Sequence, residues 1–146
     1  MQDFKRSHSR CGYTLAELLM VVSIAAVMMA IAIPRAVRLL DRIAVSAASS
    51  DVHATLAFAR SLALAGGSAV AVDVDSITGT LRIRRSLETL VSRNIAGAHG
   101  VRVSSTRDSL TYDPRGLGRG AANLSLVIRR GAAVETVFVS RLGRVR

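Results

Sequence analysis

Glu17 is the first residue whose placement demands chemistry. It is a carboxylate at the head of an apolar run, Leu18 to Ile33, in which Ser23 is the sole polar side chain. In hydrocarbon a charged side chain costs about 2.5–3.5 kcal/mol at the helix centre on insertion scales, so it is kept for a function and must find a proton or a cation. The second candidate is the other end of the chain, where Arg141, Gly143, Arg144 and Arg146 cluster. Arg144 and Arg146 alternate, so in an extended conformation both face one way, with Arg141 nearby. Such a cluster can grip successive phosphates through charge-assisted forks. From Val101 onward nine arginines stand against Asp108, Asp113 and Glu135, a local +6, partly offset by the carboxylate of Arg146 itself. Tyr112 and Phe138 are the only aromatic residues in that stretch, so base reading is not expected.

Other chemistry is poorly supplied. Asp73 and Asp75 alternate with Val72 and Val74 and would share one face of a strand. Two carboxylates alone are weak support for a cation, and a solvated hairpin end explains them better. His53 and His99 have no Cys or second His at ligand spacing, so no metal site is expected. Gly116, Gly118 and Gly120 lack the spacing and the strand–turn–helix context of a phosphate loop. No Ser/His/Asp constellation converges. Catalytic residues, cofactors and enzymatic activity are therefore not expected. Cys11 is the only cysteine, which excludes an intrachain disulfide. It follows polar Ser7-His8-Ser9-Arg10 rather than an apolar region, so it is not a lipidation site.

The elements that position these groups follow from composition and period. The chain has 146 residues, 50% hydrophobic but only 3% aromatic, so its core is built from Ala, Val, Leu and Ile. Net charge is +10, and every basic residue except Lys5 is Arg. That balance favours anionic partners, nucleic acid or lipid headgroups, or reflects a solvated arginine-rich surface; both readings stay open. Tyr13 to Ile33 spans 21 residues, near the ~20 needed to cross a bilayer. A secretory signal fits poorly: the apolar run exceeds the usual h-region of about 7–15 residues, and Ile33-Pro34-Arg35 is no cleavage site. A buried core helix is disfavoured by the polar leader in front. Lys5, Arg6 and Arg10 on one side and Arg35, Arg38 and Arg42 on the other leave orientation undecided by charge. Pro34 removes a backbone donor and should kink or loosen the helix.

From Arg35 to Ala65 the pattern is helical and Ala-rich. Val37, Leu40, Ala44, Ala47, Phe58 and Leu62 are expected on one face, and Arg35, Arg38, Arg42, His53 and Arg60 on another, which reads as solvated or as a lipid or nucleic-acid surface. Gly66-Gly67 supplies the stop. A continuous helix from Tyr13 to Ala65 would reach about 80 Å, far too long for a domain of this size, so its first half must bury apolar surface in lipid or against sibling helices. After Gly67 the period switches to two. A hairpin is expected over 69–74 and 80–84, short strands over 101–104 and 109–112, a turn at Asp113–Gly116, and strands over 123–129 and 133–140. Residues 86–100 are expected to be loop with little regular structure, and 116–120 a flexible loop.

Arg10, Gly12, Thr14, Leu15 and Glu17, followed by the apolar run and Pro34, resemble the class III signal of type IV pilins and pseudopilins. Tyr13 stands where that family usually has phenylalanine. The tyrosine-aspartate-proline-x-glycine turn at Tyr112–Gly116 and the closing Gly143-Arg144-Val145-Arg146 resemble the GspH/FimT branch. The resemblance implies that a prepilin peptidase cuts between Gly12 and Tyr13 and methylates the new N-terminus of Tyr13. Glu17 would then pair with a neighbouring subunit's N-terminal amine and set register in a filament. Loss of the leader, with Lys5, Arg6 and Arg10 against Asp3, takes the net charge from +10 to +8.

The implied fold class is α+β and pilin-like, a long N-terminal helix packed on a C-terminal antiparallel β domain. Its divisions are a leader (1–12), a transmembrane or filament-core helix (13–33), an amphipathic helix (34–65) and a β-rich domain (66–146). The implied protein is a minor pilin or pseudopilin of a type II secretion pseudopilus or type IV pilus. It would be anchored once in the inner membrane with its C-terminal domain outside the cytoplasm, and its partners would be other pilins and the peptidase. In FimT-like minor pilins a terminal Gly-Arg-x-Arg motif is implicated in DNA binding for uptake. The matching residues are Gly143, Arg144 and Arg146, with Arg141 as a neighbour, although secretion-type GspH proteins share the ending.

Overall fold

Thr14 starts the first helix. Its carbonyl accepts the first intrahelical bond, from the Leu18 N–H at 3.2 Å, and its Oγ1 accepts the Glu17 N–H at 3.2 Å, which satisfies one of the donors a helix N-terminus leaves open. A computed structural model describes residues 12–119, 123–140 and 142–146. The leader before Gly12, and Arg141, lie outside the described residues. Helix α1 spans Leu15–Gly66, with Pro34 inside it. The chain divides into two units, one ending at Ala36 and the other spanning Val37–Arg146.

In the first unit residues 13–36 are exposed, apart from half-buried Ala25. An 18-residue window there has a mean hydropathy of 2.5 with none of it buried, long and apolar enough to cross a membrane. Ser23 Oγ donates to Leu19 O at 2.7 Å, so the one hydroxyl in the run is satisfied inside the helix.

The second unit holds the core. Val45, Ala48, Val52, Leu56, Ala59 and Ala63 of α1 are buried against valines, leucines and isoleucines from two antiparallel sheets. The larger sheet joins β1 (Val70–Asp75), β2 (Thr80–Arg85), β3 (Glu88–Asn94), β5 (Ser109–Tyr112) and β6 (Gly118–Arg119) in the order β3-β2-β1-β5-β6. The smaller joins β4 (Arg102–Ser105), β7 (Leu124–Arg130) and β8 (Ala133–Val139) in the order β4-β7-β8. A short helix, α2 (Ile95–His99), links the sheets.

The fold class is as expected, with three local corrections. The buried row on α1 is turned by one residue, ~100°, from the expected face: Val37, Leu40, Ala47 and Phe58 are exposed, while Ala44 and Leu62 flank the core. In so Ala-rich a helix adjacent stripes are nearly equally apolar, and here polar groups on the inner side find partners. Ser49 Oγ donates to Glu135 Oε1 at 2.8 Å, and Thr55 Oγ1 donates to Asp51 O at 2.7 Å. Residues 86–100 are not loop. β3 is an edge strand with a register shift opposite Ile83/Arg84, so its alternation is blurred. α2 then forms because Asn94 accepts the Gly97 N–H at 2.7 Å and Ile95 is fully buried. Within the expected flexible loop, Gly118–Arg119 pairs with Thr111–Tyr112 as β6.

Candidate functional site

Two places hold the residues singled out from the sequence. At the N-terminus, Gly12, Tyr13 and Thr14 precede α1 and are exposed, and Glu17 lies in its first turn. A carboxylate there is favoured by the helix dipole. No described side chain forms an ion pair with Glu17. The Thr14-x-x-Glu17 spacing is also a capping signature, a local role additional to the one expected of Glu17.

The second place is built by the end of the chain. After β8 the backbone reverses: Gly143 N–H donates to Ser140 O at 2.9 Å, and Ser140 N–H to Arg144 O at 2.8 Å. Phe138 and Arg146 then exchange two backbone hydrogen bonds, each 2.8 Å, across the Val139–Val145 bridge. Residues 144–146 thus add a short antiparallel segment to the edge of β8. Val145 turns inward against the core, which leaves Arg144 and Arg146 exposed on the opposite, outward face. The alternation expected of these two arginines is present.

Gly143 is the pivot. Its φ is +69°, and a Cβ there would sit well inside contact distance of the Gly116 carbonyl and 3.2 Å from Tyr112 Cε1. Gly116, at φ +74°, lies in turn against α1, where a Cβ would meet Arg60 Nε at 2.9 Å and Leu64 at 3.2 Å. Arg60 Nε donates to Gly116 O at 3.0 Å. Asp113 holds the turn by accepting the N–H groups of Arg115 and Leu117, each at 2.9 Å. The two short motifs, Tyr112–Gly116 and Gly143–Arg146, therefore form one structure. Arg60, expected on a solvated face, is its anchor on α1. No sequence signal tied Arg60 to the turn, because its partner is a carbonyl 56 residues away. Burial pushes the Tyr112 phenol up to about 12, only partly offset by the nearby Arg60 charge, so the phenol stays neutral at neutral pH. His53, Arg60, Leu64, Gly143 and Val145 line an open cleft of about 580 Å³ between α1 and the terminal segment.

The weaker candidates are occupied locally. Asp73 pairs with Arg84 across the hairpin. Asp75 accepts from Ile77 N–H at 2.9 Å and from Thr78 Oγ1 at 2.8 Å, and these bonds, Thr78 first, hold its carboxyl below the usual range. His99 Nε2 lies 3.2 Å from Asp51 Oδ2. Among the described residues no cluster of three His, Cys, Asp or Glu could hold a metal ion.

A helix whose apolar N-terminal part carries a carboxylate in its first turn and whose later part packs on antiparallel sheets defines a pilin-like protein. Comparison with known families narrows the class: residues 48–143 match the family described as type II transport protein GspH, and residues 7–33 match the prokaryotic N-terminal methylation motif. The chain belongs to the GspH family of pilin-like proteins. Its fold is similar to the type IV minor pilin FimU of Pseudomonas aeruginosa in two crystal forms. One has a TM-score of 0.61 at 18% identity, covering 70% of this chain and 86% of that one. The other has 0.58 at 18% identity, covering 69% and 90%. No curated protein sequence matches the chain.

Proposed function

We propose that this chain is a minor subunit of a type II secretion pseudopilus or type IV pilus. A prepilin peptidase cuts it between Gly12 and Tyr13 and methylates Tyr13, and it is anchored in the inner membrane by residues 13–33 until it enters a filament. The observation that carries this reading is the run of exposed apolar side chains at the start of α1. Leu18, Leu19, Met20, Val21, Val22 and Ile24 are each more than half exposed, surface that has to be covered by lipid or by other subunits. Among the described residues, the buried core lies between Val45 and Val139. Residues 34–65 continue the helix onto a β-rich domain of 66–146, and Pro34 leaves one turn without a backbone donor. With no catalytic group required, the chain acts by assembling with other pilins. Co-expression with a prepilin peptidase is expected to yield a mature protein beginning at N-methyl-Tyr13, read by mass spectrometry. An intact leader, or a cut elsewhere, refutes the assignment.

A second reading is favoured by the outward pair Arg144 and Arg146, held on one face by the terminal segment. In it the filament presents Arg144 and Arg146, on the Gly143 pivot and with Arg141 as neighbour, to extracellular DNA. Arg144→Gln with Arg146→Gln is expected to weaken DNA binding by the full chain across all sequences. The slope of log affinity against log salt should fall by about two, one for each phosphate that an arginine no longer neutralises. An unchanged slope would count against the arginine pair.

A further inference from the structure

The outward face of the small sheet carries more than the arginine pair. Register places Arg102 opposite Arg129, and Ser125 opposite Phe138. The terminal segment places Arg146 opposite Phe138 on the other side. Their inward neighbours Val103, Leu126, Val137 and Val139 are buried, so Arg102, Arg129, Phe138, Arg144 and Arg146 all stand on one side of the sheet. Phe138 is 55% exposed. No outward position of these strands or of the terminal segment bears a carboxylate side chain, since Glu135 faces the other way and accepts from Ser49. Two arginines set directly opposite each other, as Arg102 and Arg129 are, repel and destabilise a strand pair. A polyanion would relieve that repulsion. Arg146 stands beside Phe138 in its own row, with Arg144 two residues beyond, while the row of Arg129 lies four residues of strand, ~14 Å, in the other direction.

We propose that this face is a binding track for single-stranded polynucleotide, in which Phe138 stacks on an unpaired base while Arg146 and Arg144 on one side, and Arg129 and Arg102 on the other, hold the backbone. The proposal rests on the DNA-binding reading above and adds to it the form of nucleic acid. The reasoning is one of accessibility. An aromatic ring centred in an arginine-rimmed sheet face offers nothing to the outside of a duplex, whose bases are stacked on each other. It matches the exposed π-face of a single strand, and because every base has such a face the contact is tolerant of sequence. Tyr112, the other aromatic residue of this region, is fully buried and cannot take part.

The test uses the full chain in neutral detergent micelles, with labelled oligothymidylate and a duplex of equal length titrated at matched salt. Phe138→Ala is expected to weaken oligothymidylate binding by roughly tenfold and to leave duplex binding and the salt slope unchanged. Phe138→Trp is expected to restore it. A 2-aminopurine base within the strand should be quenched by the wild-type protein and not by Phe138→Ala, which reports stacking directly. Equal affinity of Phe138→Ala and wild type for the single strand, or equal losses on strand and duplex, overturns the stacking proposal and leaves the arginine reading intact. Failure of the wild-type protein to bind either form at low salt removes both.

Discussion

Glu17→Ala is expected to insert into the membrane and lose its leader normally, while its incorporation into filaments falls by at least tenfold. Sheared filaments probed for the subunit, normalised to processed protein in the membrane, measure this. The physical reason is an imbalance that one chain leaves unresolved. Glu17 stands at the head of an apolar helix, and no described side chain pairs with it. In hydrocarbon the carboxylate is costly alone, and on the proposed filament reading a neighbour's N-terminal amine would supply the cation it lacks. Removing the carboxylate lowers the cost of insertion but would leave that amine unpaired in the assembled state. A tenfold loss corresponds to about 1.4 kcal/mol, below what breaking a desolvated pair normally costs, so tenfold is a lower bound. Thr14→Ala separates pairing from capping. It removes the acceptor for the Glu17 N–H, weakens the helix start by about 1 kcal/mol, and is expected to leave incorporation near wild type. Glu17→Gln keeps the shape without the charge and should behave like Glu17→Ala. Wild-type incorporation of Glu17→Ala would remove the pairing role.

What could be read in the sequence follows how local each signal is. The membrane-length run, the β1–β2 hairpin and the β7–β8 pair are written in neighbouring residues, and each lies where the period placed it. The inner face of α1 is set at a distance. Ser49 faces inward because Glu135 accepts from it, and Asp41 because Arg130 Nε donates to it at 3.0 Å. A hydrophobicity pattern scores both as outward, which displaces the expected face by one residue. β3 escapes the pattern for a related reason: it reaches the core only through half-buried Val91, and the register shift opposite Ile83/Arg84 breaks its period, so it lacks the alternation that announces a strand. The site divides in the same way. Arg144 and Arg146 are legible as a charged pair, but their common orientation depends on Val145 entering the core and on Phe138 as the strand partner. Phe138 itself stands out in the sequence only as a scarce aromatic residue. Its place beside Arg146 is a product of the chain turning back at Gly143.

That turn is the basis of the second large effect. Gly143→Val is expected to release the terminal segment from β8, abolishing protection of the Arg146 and Phe138 amides in hydrogen exchange and lowering DNA affinity, though by less than Arg144→Gln with Arg146→Gln does because both charges remain. Two costs compete. Keeping the segment seated would hold a β-branched residue at φ +69°, a penalty of about 1–2 kcal/mol, with its Cβ driven into the Gly116 carbonyl. Gly116 cannot retreat, because it is pressed against Leu64 and its carbonyl accepts from Arg60. Releasing the segment sacrifices the two Phe138–Arg146 bonds and the Ser140–Arg144 bond, a net of about 2–4 kcal/mol at ~1 kcal/mol each, and exposes Val139. The clash adds to the first cost and not to the second, so release wins. The rest of the core, from Val45 to Val137, is untouched, and the variant should still fold. Gly143→Ala tests the ordering of the costs. It meets the same carbonyl with less bulk and should show partial protection. Full protection of both amides in Gly143→Val would mean that the Tyr112–Gly116 turn yields instead. In that case the arginines owe their orientation to something other than this seat.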